Sequence, residues 1–162
     1  GVDRMDHQDE TFMTEALKLA QRGIEQGDGG PFGAVVVMDG RIIGRGWNQV
    51  IKRNDPTAHA EIVAIREACS HAASYHLPGS VLYTTCEPCP MCLSAAYWAH
   101  IDRLVYAAEA DDAAAIGFND RFIQAELHRP KDGRAMASQQ LLRERSLALF
   151  RQWQTSDKRV DY

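Results

Sequence analysis

The chain has 162 residues, 45% of them hydrophobic, and a formal net charge of −4. This length suits one domain with a sizeable core, and we expect residues 1–162 to form a single domain. No apolar run approaches the roughly 20 residues of a membrane-spanning helix, which argues strongly against membrane insertion. The acidic balance disfavours a nucleic-acid partner, since nucleic-acid-binding domains usually carry a basic face.

The start of the chain and its cysteines indicate a compartment. The first ten residues are polar and lack both the apolar core of a secretory signal and the arginine-rich character of a transit peptide. We expect residues 1–8 to be flexible, with residues 1–4 an added stretch ahead of Met5. Four cysteines, three of them clustered, suit a reducing compartment better than a disulfide framework. The expected location is cytoplasmic.

The first half of the chain alternates helix and strand signals. Apolar residues recur at helical spacing from about Asp9 to Gln26, where a glycine-rich turn follows. Two short apolar runs, Gly33 to Met38 and Arg41 to Trp47, flank an Asp-Gly turn and predict a β-hairpin. Helical spacing resumes from Ala58 to Ala73 after a turn.

The second half continues this alternation, and residues 133–138 predict a loop or short extended segment. The elements predicted there are a buried strand over Val81–Thr85, a helix over Pro90–Ala99, a strand over Arg103–Ala107, short helices over about 109–116 and 120–127, and a late helix over 138–153. Strands that alternate with helices predict an α/β layered domain.

The strongest chemical signal is a His-x-Glu motif at residues 59–61, followed by Pro-Cys-x-x-Cys at residues 88–92. An imidazole and two thiolates are three good zinc ligands, and a catalytic zinc keeps its fourth position for water. Glu61 lies close enough to face that water without binding the metal, as a proton carrier must. The predicted zinc ligands are His59, Cys89 and Cys92.

Cys86 leaves two other interpretations of the cysteine cluster open. With the two motif cysteines it forms Cys-x-x-Cys-x-x-Cys, the opening of an iron–sulfur run, but the expected fourth cysteine would fall at Ala96. As a fourth ligand it would instead close a purely structural zinc site. Pro88 argues against this, because it disfavours helical geometry before it, while the Cys-Pro pair that follows suits a helix cap and first position. Cys86 is then a packing residue at a strand end.

These zinc motifs, together with others that lie before and between them, resemble the cytidine deaminase-like zinc superfamily. The motifs are Pro31-Phe32-Gly33-Ala34, Asn48, His59-Ala60-Glu61 and Cys86-Glu87-Pro88-Cys89-Pro90-Met91-Cys92. Four further stretches resemble the guanine deaminase branch of bacterial type: Tyr97-Trp98-Ala99, residues 105–109, residues 117–123 and Val160-Asp161-Tyr162. The resemblance covers the chain from about Phe12 to Tyr162.

The resemblance implies a fold and an assembly. The fold is a three-layer cytidine deaminase-like α/β architecture, with a mixed five-stranded sheet between helices and one zinc ion per subunit. The assembly is a homodimer whose C-terminal tails, about residues 154–162, exchange between subunits and bring Tyr162 to the partner's site. Only four strands are clear in the sequence, and a swapped C-terminus would explain the gap.

The resemblance also implies an activity, the hydrolysis of guanine, a small-molecule purine base, to xanthine and ammonia. Water activated by zinc attacks C2 of the ring, while Glu61 and Asp120, the second carboxylate at the 2-amino group, carry the protons. The purine-binding residues that it implies are the aromatic Phe32, Trp98, Phe118 and Tyr162, Asn48 at the purine edge, and the backbone of Ala60 near the reacting centre.

Other activities remain open. A tRNA adenosine deaminase shares both zinc motifs and would take a flipped base into a similar pocket, although the net charge and residues 117–123 argue against it. Cytosine, cytidine or an amino-s-triazine are further candidate substrates. In a different class, a catalytically silent zinc-stabilised binding module would use the metal for folding only.

Overall fold

A computed structural model describes residues 6–162 of the chain. The interpretation of residues 1–4 as an added stretch lies outside the described residues, as does most of the expected flexible start, which stays a prediction. The chain divides into two compact units, residues 1–120 and 121–162, and the single-domain interpretation also stays a prediction. In the described part, no helix is long and apolar enough to cross a membrane.

The first unit alternates helices with strands, as predicted. Its elements are α1 (His7–Gln26), β1 (Gly33–Met38), β2 (Arg41–Trp47), α2 (Val50–Arg53), α3 (Ala60–Ala72), β3 (Val81–Cys86), α4 (Pro90–Trp98), β4 (Arg103–Ala108) and α5 (Ala110–Ala115). The short helix α2 was not predicted. It begins where the Asn48 side chain accepts a hydrogen bond from the Val50 backbone N–H at 3.1 Å, a local turn that apolar periodicity does not register.

The four strands form one mixed sheet in the order β2-β1-β3-β4. Strand β1 pairs antiparallel with β2 and with β3, whereas β3 and β4 run parallel. Because parallel neighbours need a crossover connection, helix α4 lies between β3 and β4 along the chain. The mixed character of the sheet is therefore as predicted.

The prediction of a fifth strand is wrong for the described residues, whose sheet has four strands. Residues 133–138, predicted as a loop or short extended segment, begin at the end of a 3-10 turn over Lys131–Gly133 and continue as bends and irregular backbone. The Ala135 backbone N–H donates to the Glu126 carboxylate at 2.9 Å, and the Arg134 side chain donates to the Glu126 carbonyl at 3.0 Å. A backbone donor that a strand would offer to its neighbour is thus used locally.

The sheet carries a hydrophobic core on each face, which makes three layers. Successive strand side chains point to opposite faces, so Val35 and Val37 pack towards Leu19 and Phe12 of α1. The alternate residues, such as Val36, join the core built with helices α3 and α4 on the other face. This arrangement places the starts of α3 and α4 on the same side of the sheet.

Helix α3 lies unusually close to strand β2. An added Cβ at Gly46 would lie 2.2 Å from the Ala60 carbonyl oxygen, and one at Gly44 would lie 2.2 Å from that of Ala64. Only glycine allows this approach, since a side chain at either position would push the helix outward. The two glycines therefore set the position of the α3 start, which carries the His-x-Glu motif.

A buried polar network joins α1 to strands β3 and β4. The Asp9 carboxylate is only 4% exposed and accepts hydrogen bonds from the Tyr83 hydroxyl at 2.5 Å and from Arg103 Nη2 at 2.8 Å. The Arg103 guanidinium holds the pKa of Asp9 below its ordinary value. Burial, together with the Asp9 carboxylate, raises the pKa of Tyr83 to about 12. The network is thus an ionised carboxylate held by two donors.

We expect Asp9→Asn to lower the free energy of unfolding by about 2 kcal/mol at pH 7, because an Arg103 charge that is partly exposed loses its buried partner. The folded-state pKa of Asp9 is lowered, so its contribution is present above the unfolded value of about 4 and is lost as the pH falls through the folded value. Denaturant unfolding at pH 7 and pH 3 measures this difference, which should shrink at pH 3. The exposed Glu10→Gln is the control; equal losses in both variants would contradict the prediction.

The second unit, residues 121–162, contains helices α6 (Arg121–His128) and α7 (Arg143–Thr155). Both predicted helices are found, but α7 begins five residues late because residues 138–142 are irregular and end in the left-handed Leu142. Large apolar side chains of this unit are exposed: Phe122, Ile123, Leu127, Met136, Leu141, Leu142, Leu149, Phe150 and Trp153. So large an exposed apolar surface is typical of an interaction site.

Candidate metal centre and active site

The three predicted zinc ligands come together at the starts of two helices. His59 is the N-cap residue of α3, Cys89 is the N-cap residue of α4, and Cys92 lies buried in the first turn of α4. His59 Nδ1 lies 3.6 Å from Cys89 Sγ and 3.5 Å from Cys92 Sγ. All three ligand atoms lie within 4.8 Å of one another, an arrangement able to hold a metal ion.

These separations fit tetrahedral zinc. Bond lengths of about 2.3 Å to sulfur and about 2.0 Å to nitrogen, at tetrahedral angles, put sulfur and nitrogen roughly 3.5 Å apart. The distances measured are 3.5 and 3.6 Å. Three protein ligands leave one tetrahedral position for water or substrate, which is the arrangement of a catalytic and not a closed structural site.

Cys86 is not a member of this cluster. It is the buried last residue of β3, and its thiol donates a weak hydrogen bond to the Glu109 carbonyl oxygen at 3.7 Å. Burial, and then the Glu61 and Asp120 carboxylates, raise the pKa of Cys86 to about 11, which keeps the thiol neutral. The alternatives that required Cys86 as a ligand, an iron–sulfur cluster or a closed zinc site, therefore lose their support, and the packing interpretation fits.

The protonation of the ligands follows from their mutual contacts. Hydrogen bonds from the Cys92 thiol and from His59 lower the pKa of Cys89 to about 4, helped by the Cys92 backbone N–H at the helix start. The contact with Cys89 raises the pKa of His59 and, together with burial, that of Cys92. The cluster thus holds protons that a metal cation would displace, because thiolate and neutral imidazole are the ligating forms.

Glu61 lies beside this cluster, at the second position of α3, and is only 6% exposed. Its carboxyl group shares a hydrogen bond with the Cys92 side chain, and burial raises its pKa to about 7. A carboxyl group with a pKa close to neutral is suited both to take and to return a proton. The role of Glu61 as proton carrier stays a prediction, which its burial beside the cluster supports.

Asp120 is the last residue of the first unit and is half-buried. Both its carboxylate and that of Glu61 raise the pKa of Cys86, so both carboxylates lie within electrostatic reach of one thiol. No contact between the two carboxylates follows from this. The role of Asp120 itself stays a prediction.

Two of the predicted aromatic residues are in contact. The Phe32 and Phe118 rings are arranged edge to face, with centroids 4.9 Å apart. An added Cβ at Gly30 would lie 2.9 Å from both rings. This role of Gly30 was not predicted, because Gly29 and Gly30 also mark the end of the first helix. Their place just ahead of the Pro31-Phe32 pair is the sequence signal for it.

Asn48 and Ala60, the other two predicted purine-binding residues, are both buried. The Asn48 Oδ1 atom accepts the Val50 backbone N–H, and an added Cβ at Gly29 would lie 2.1 Å from the same oxygen. The side chain is thus held on two sides, and its amide NH₂ offers donors to a heteroaromatic edge. Ala60 is the first residue of α3, between the metal ligand and the proton carrier.

The remaining two predicted aromatic residues are largely open to solvent. Trp98 is the last residue of α4 and is 64% exposed, and Tyr162, in the second unit, is 72% exposed. Neither ring is enclosed within the chain that carries it. Their assignment to the purine site stays a prediction.

Comparisons with known proteins identify relatives. Residues 6–108 match the cytidine and deoxycytidylate deaminase zinc-binding region. The guanine deaminase of Bacillus subtilis strain 168 is 48% identical over 153 residues, which are 94% of this chain and 98% of that protein. The X-ray structure of Bacillus subtilis guanine deaminase superimposes with a TM-score of 0.92 at 47% identity, covering 98% of this chain and 99% of that one. The tRNA-specific adenosine deaminase of Haemophilus influenzae is 46% identical over 115 residues, 70% of this chain and 66% of that protein.

Proposed function

This chain belongs to the cytidine and deoxycytidylate deaminase zinc-binding family, and we propose that it is a guanine deaminase, a zinc-dependent hydrolase that acts on a C–N bond of a cyclic amidine. It converts guanine and water into xanthine and ammonia. One observation carries this proposal: the similarity to guanine deaminase extends over 94% of the chain. The tRNA-specific adenosine deaminases of Haemophilus influenzae and Agrobacterium fabrum match only 70% and 75% of the chain.

The chain's own residues provide the proton transfers. Zinc held by His59, Cys89 and Cys92 would lower the pKa of a water molecule in the site enough to make hydroxide available near neutral pH. Glu61 takes the proton of that water and returns it to N3 of guanine as C2 is attacked. Asp120, at the 2-amino group, shares the proton transfer that lets ammonia leave.

Binding of the flat purine uses an aromatic slot and one edge. The Phe32 and Phe118 rings, which contact each other edge to face, form one wall of this slot. The Asn48 amide recognises the purine edge, and the Ala60 backbone lies near the reacting centre. Trp98 completes the slot from the end of α4.

The test of this function is ammonia release from guanine by the zinc-loaded protein, with parallel assays on adenine, cytosine, cytidine, an amino-s-triazine and a tRNA anticodon stem-loop. Guanine is expected to be the best substrate. If guanine is inert and another compound yields ammonia, that compound's class replaces the proposal. If no compound releases ammonia, the non-catalytic zinc module is favoured.

Gly30→Ala is expected to raise the KM for guanine about tenfold, because overpacking of this size costs 1–3 kcal/mol. The new Cβ would meet the Phe32 and Phe118 rings at 2.9 Å and displace them. Steady-state kinetics with guanine measures the change. Gly133→Ala is the control, since its Cβ would meet only Pro130, at 3.9 Å. An unchanged KM for Gly30→Ala would remove these rings from the binding slot.

We also propose a homodimer whose tails, about residues 154–162, exchange so that the terminal tyrosine of one subunit closes the site of the other. The exposed apolar side chains of the second unit support this, as do Leu93, Tyr97 and Trp98, which are exposed on α4. Surfaces of this kind are usually covered in an assembly. Sedimentation equilibrium at micromolar concentration tests it; a monomer would contradict it.

Deleting residues 160–162 is expected to lower kcat/KM for guanine at least about tenfold with the zinc content unchanged, because the site loses a positioned aromatic ring. Guanine turnover and zinc analysis measure the two effects. Lys158→Ala, an exposed change in the same tail, is the control. A truncated protein as active as the control would contradict the exchanged-tail proposal.

We further propose that the enzyme acts in the cytoplasm, in purine breakdown. The free thiols at residues 86, 89 and 92 support this, since a reducing compartment protects such a cluster from oxidation. Conversion of guanine to xanthine removes an amino group that purine reuse would need, so it favours breakdown.

A further inference from the structure

The Cys86-Glu87 pair, separated from the metal-binding Cys89 by Pro88 alone, is hydrogen-bonded to the junction between β4 and α5. The Glu87 backbone N–H donates to the Ala108 carbonyl at 2.8 Å, and the Glu87 carboxylate accepts the Ala110 backbone N–H at 3.0 Å. The Cys86 thiol donates to the Glu109 carbonyl at 3.7 Å. Three successive residues of the junction are therefore held by two residues of the zinc motif.

The Ala110 N–H belongs to the first residue of α5, where helical backbone donors have no partner inside the helix. The Glu87 carboxylate satisfies one of them across a sequence separation of 23 residues. Side-chain caps normally come from the residue just before the helix. Helix α5 has such a local cap, a capping box between Glu109 and Asp112. The Glu87 carboxylate adds a further partner from a distant loop, so it also fixes where the helix stands.

Helix α5 is short and ends in a defined stop. It spans Ala110–Ala115, about 9 Å at 1.5 Å per residue. Gly117 follows with a φ of +101°, and the Phe118 N–H donates back to the Ala113 carbonyl at 3.0 Å. A displacement of the α5 start is thus carried to Phe118, and Asp120 follows two residues later.

We propose that Glu87 is a positioning residue for the reaction: by capping α5 it places Phe118 and Asp120 relative to the metal centre. The loop that supplies Cys89 to the metal thereby also sets the aromatic slot and the second carboxylate. This inference rests on the proposed guanine deaminase function, in which those two residues face the substrate.

The test compares wild-type, Glu87→Ala, Glu87→Gln and Glu10→Ala proteins, all zinc-loaded and full-length. Glu87→Ala is expected to lower kcat for guanine about tenfold with zinc content unchanged and KM raised less than threefold, because small misplacements near the reacting atoms cost rate. Glu87→Gln should recover most of kcat, because its amide oxygen still accepts the Ala110 N–H. Glu10→Ala removes an exposed carboxylate elsewhere and should match the wild type.

Hydrogen–deuterium exchange tests whether Glu87 holds α5 in place, independently of whether the protein deaminates guanine. In Glu87→Ala, exchange in residues 110–118 is expected to rise about fivefold, as for loss of a helix cap, while the strands stay protected. A wild-type kcat, equal losses in Glu87→Ala and Glu87→Gln, or faster exchange throughout the sheet would overturn the proposal. If the wild type is inactive on guanine, the proposed function fails, and exchange alone then decides whether Glu87 holds α5.

Discussion

Glu61→Gln abolishes ammonia release from guanine while the protein keeps its zinc and its fold; this is the largest effect we expect. The amide has nearly the same size as the carboxylate but cannot take the proton of the attacking water. General acid–base catalysis contributes about 10²- to 10⁴-fold, and Glu61 both takes and returns a proton, so we expect kcat to fall at least about 10³-fold. Its burial beside the Cys92 thiol gives it direct access to the site.

Three measurements on the same preparation test this prediction: guanine turnover, zinc content and the thermal unfolding midpoint. Glu67→Gln is the matched control, because it makes the same chemical change on the same helix, at an exposed residue whose carboxylate accepts the Arg45 N–H. The control should turn over at nearly the wild-type rate. Turnover by Glu61→Gln within about tenfold of the control would remove Glu61 from the mechanism.

Removal of zinc is the second large effect, and we expect it to cost stability as well as activity. The ligands join the start of α3 to that of α4 across 30 residues, and a link that closes a loop of this size restricts the unfolded chain by about 3–4 kcal/mol. Chelated protein should lose guanine turnover and unfold at a lower temperature, and added zinc should restore both. The metal would then be a structural link as well as a catalytic group.

Cysteine variants test whether the activity and stability lost on zinc removal depend on the His59, Cys89 and Cys92 cluster. Cys92→Ala should mimic the chelated protein, since it removes a buried ligand, whereas Cys69→Ala, a thiol outside the cluster, should keep its zinc and most of its turnover. A Cys92→Ala protein with full zinc content would contradict the ligand assignment. Chelated protein that keeps its unfolding temperature would contradict the structural link.

Local patterns were sufficient for much of the fold and for the metal ligands. The Cys89-Pro90 pair predicted the start of α4 correctly because proline suits the first helical position and lacks the donor that would be unpaired there. The strand assignments held because buried strands give short apolar runs with turn residues between them. The ligands followed from spacing, since the His-x-Glu motif and the Cys-x-x-Cys motif each fall within one turn of a helix start.

What could not be predicted depends on contacts between residues far apart in sequence. The Glu87 carboxylate accepts a hydrogen bond from the Ala110 N–H, 23 residues further along the chain, and no periodicity in either segment predicts this contact. The contact of Gly29 with Asn48 is likewise invisible until the chain folds. The prediction of a fifth strand came from the family resemblance and was wrong for the described residues. The local sequence was the better guide: residues 133–137 have no clear strand pattern, and they form no strand in the structure.

The convergence of two helix starts on the metal centre has an electrostatic consequence. Zinc with two thiolates and a neutral imidazole carries no net charge. The start of each helix carries roughly half an elementary positive charge, so α3 and α4 together supply about one positive charge at the site. That charge offsets the single negative charge of an ionised Glu61, which burial otherwise penalises. The two helix starts would therefore ease the ionisation of Glu61 and oppose the burial that raises its pKa.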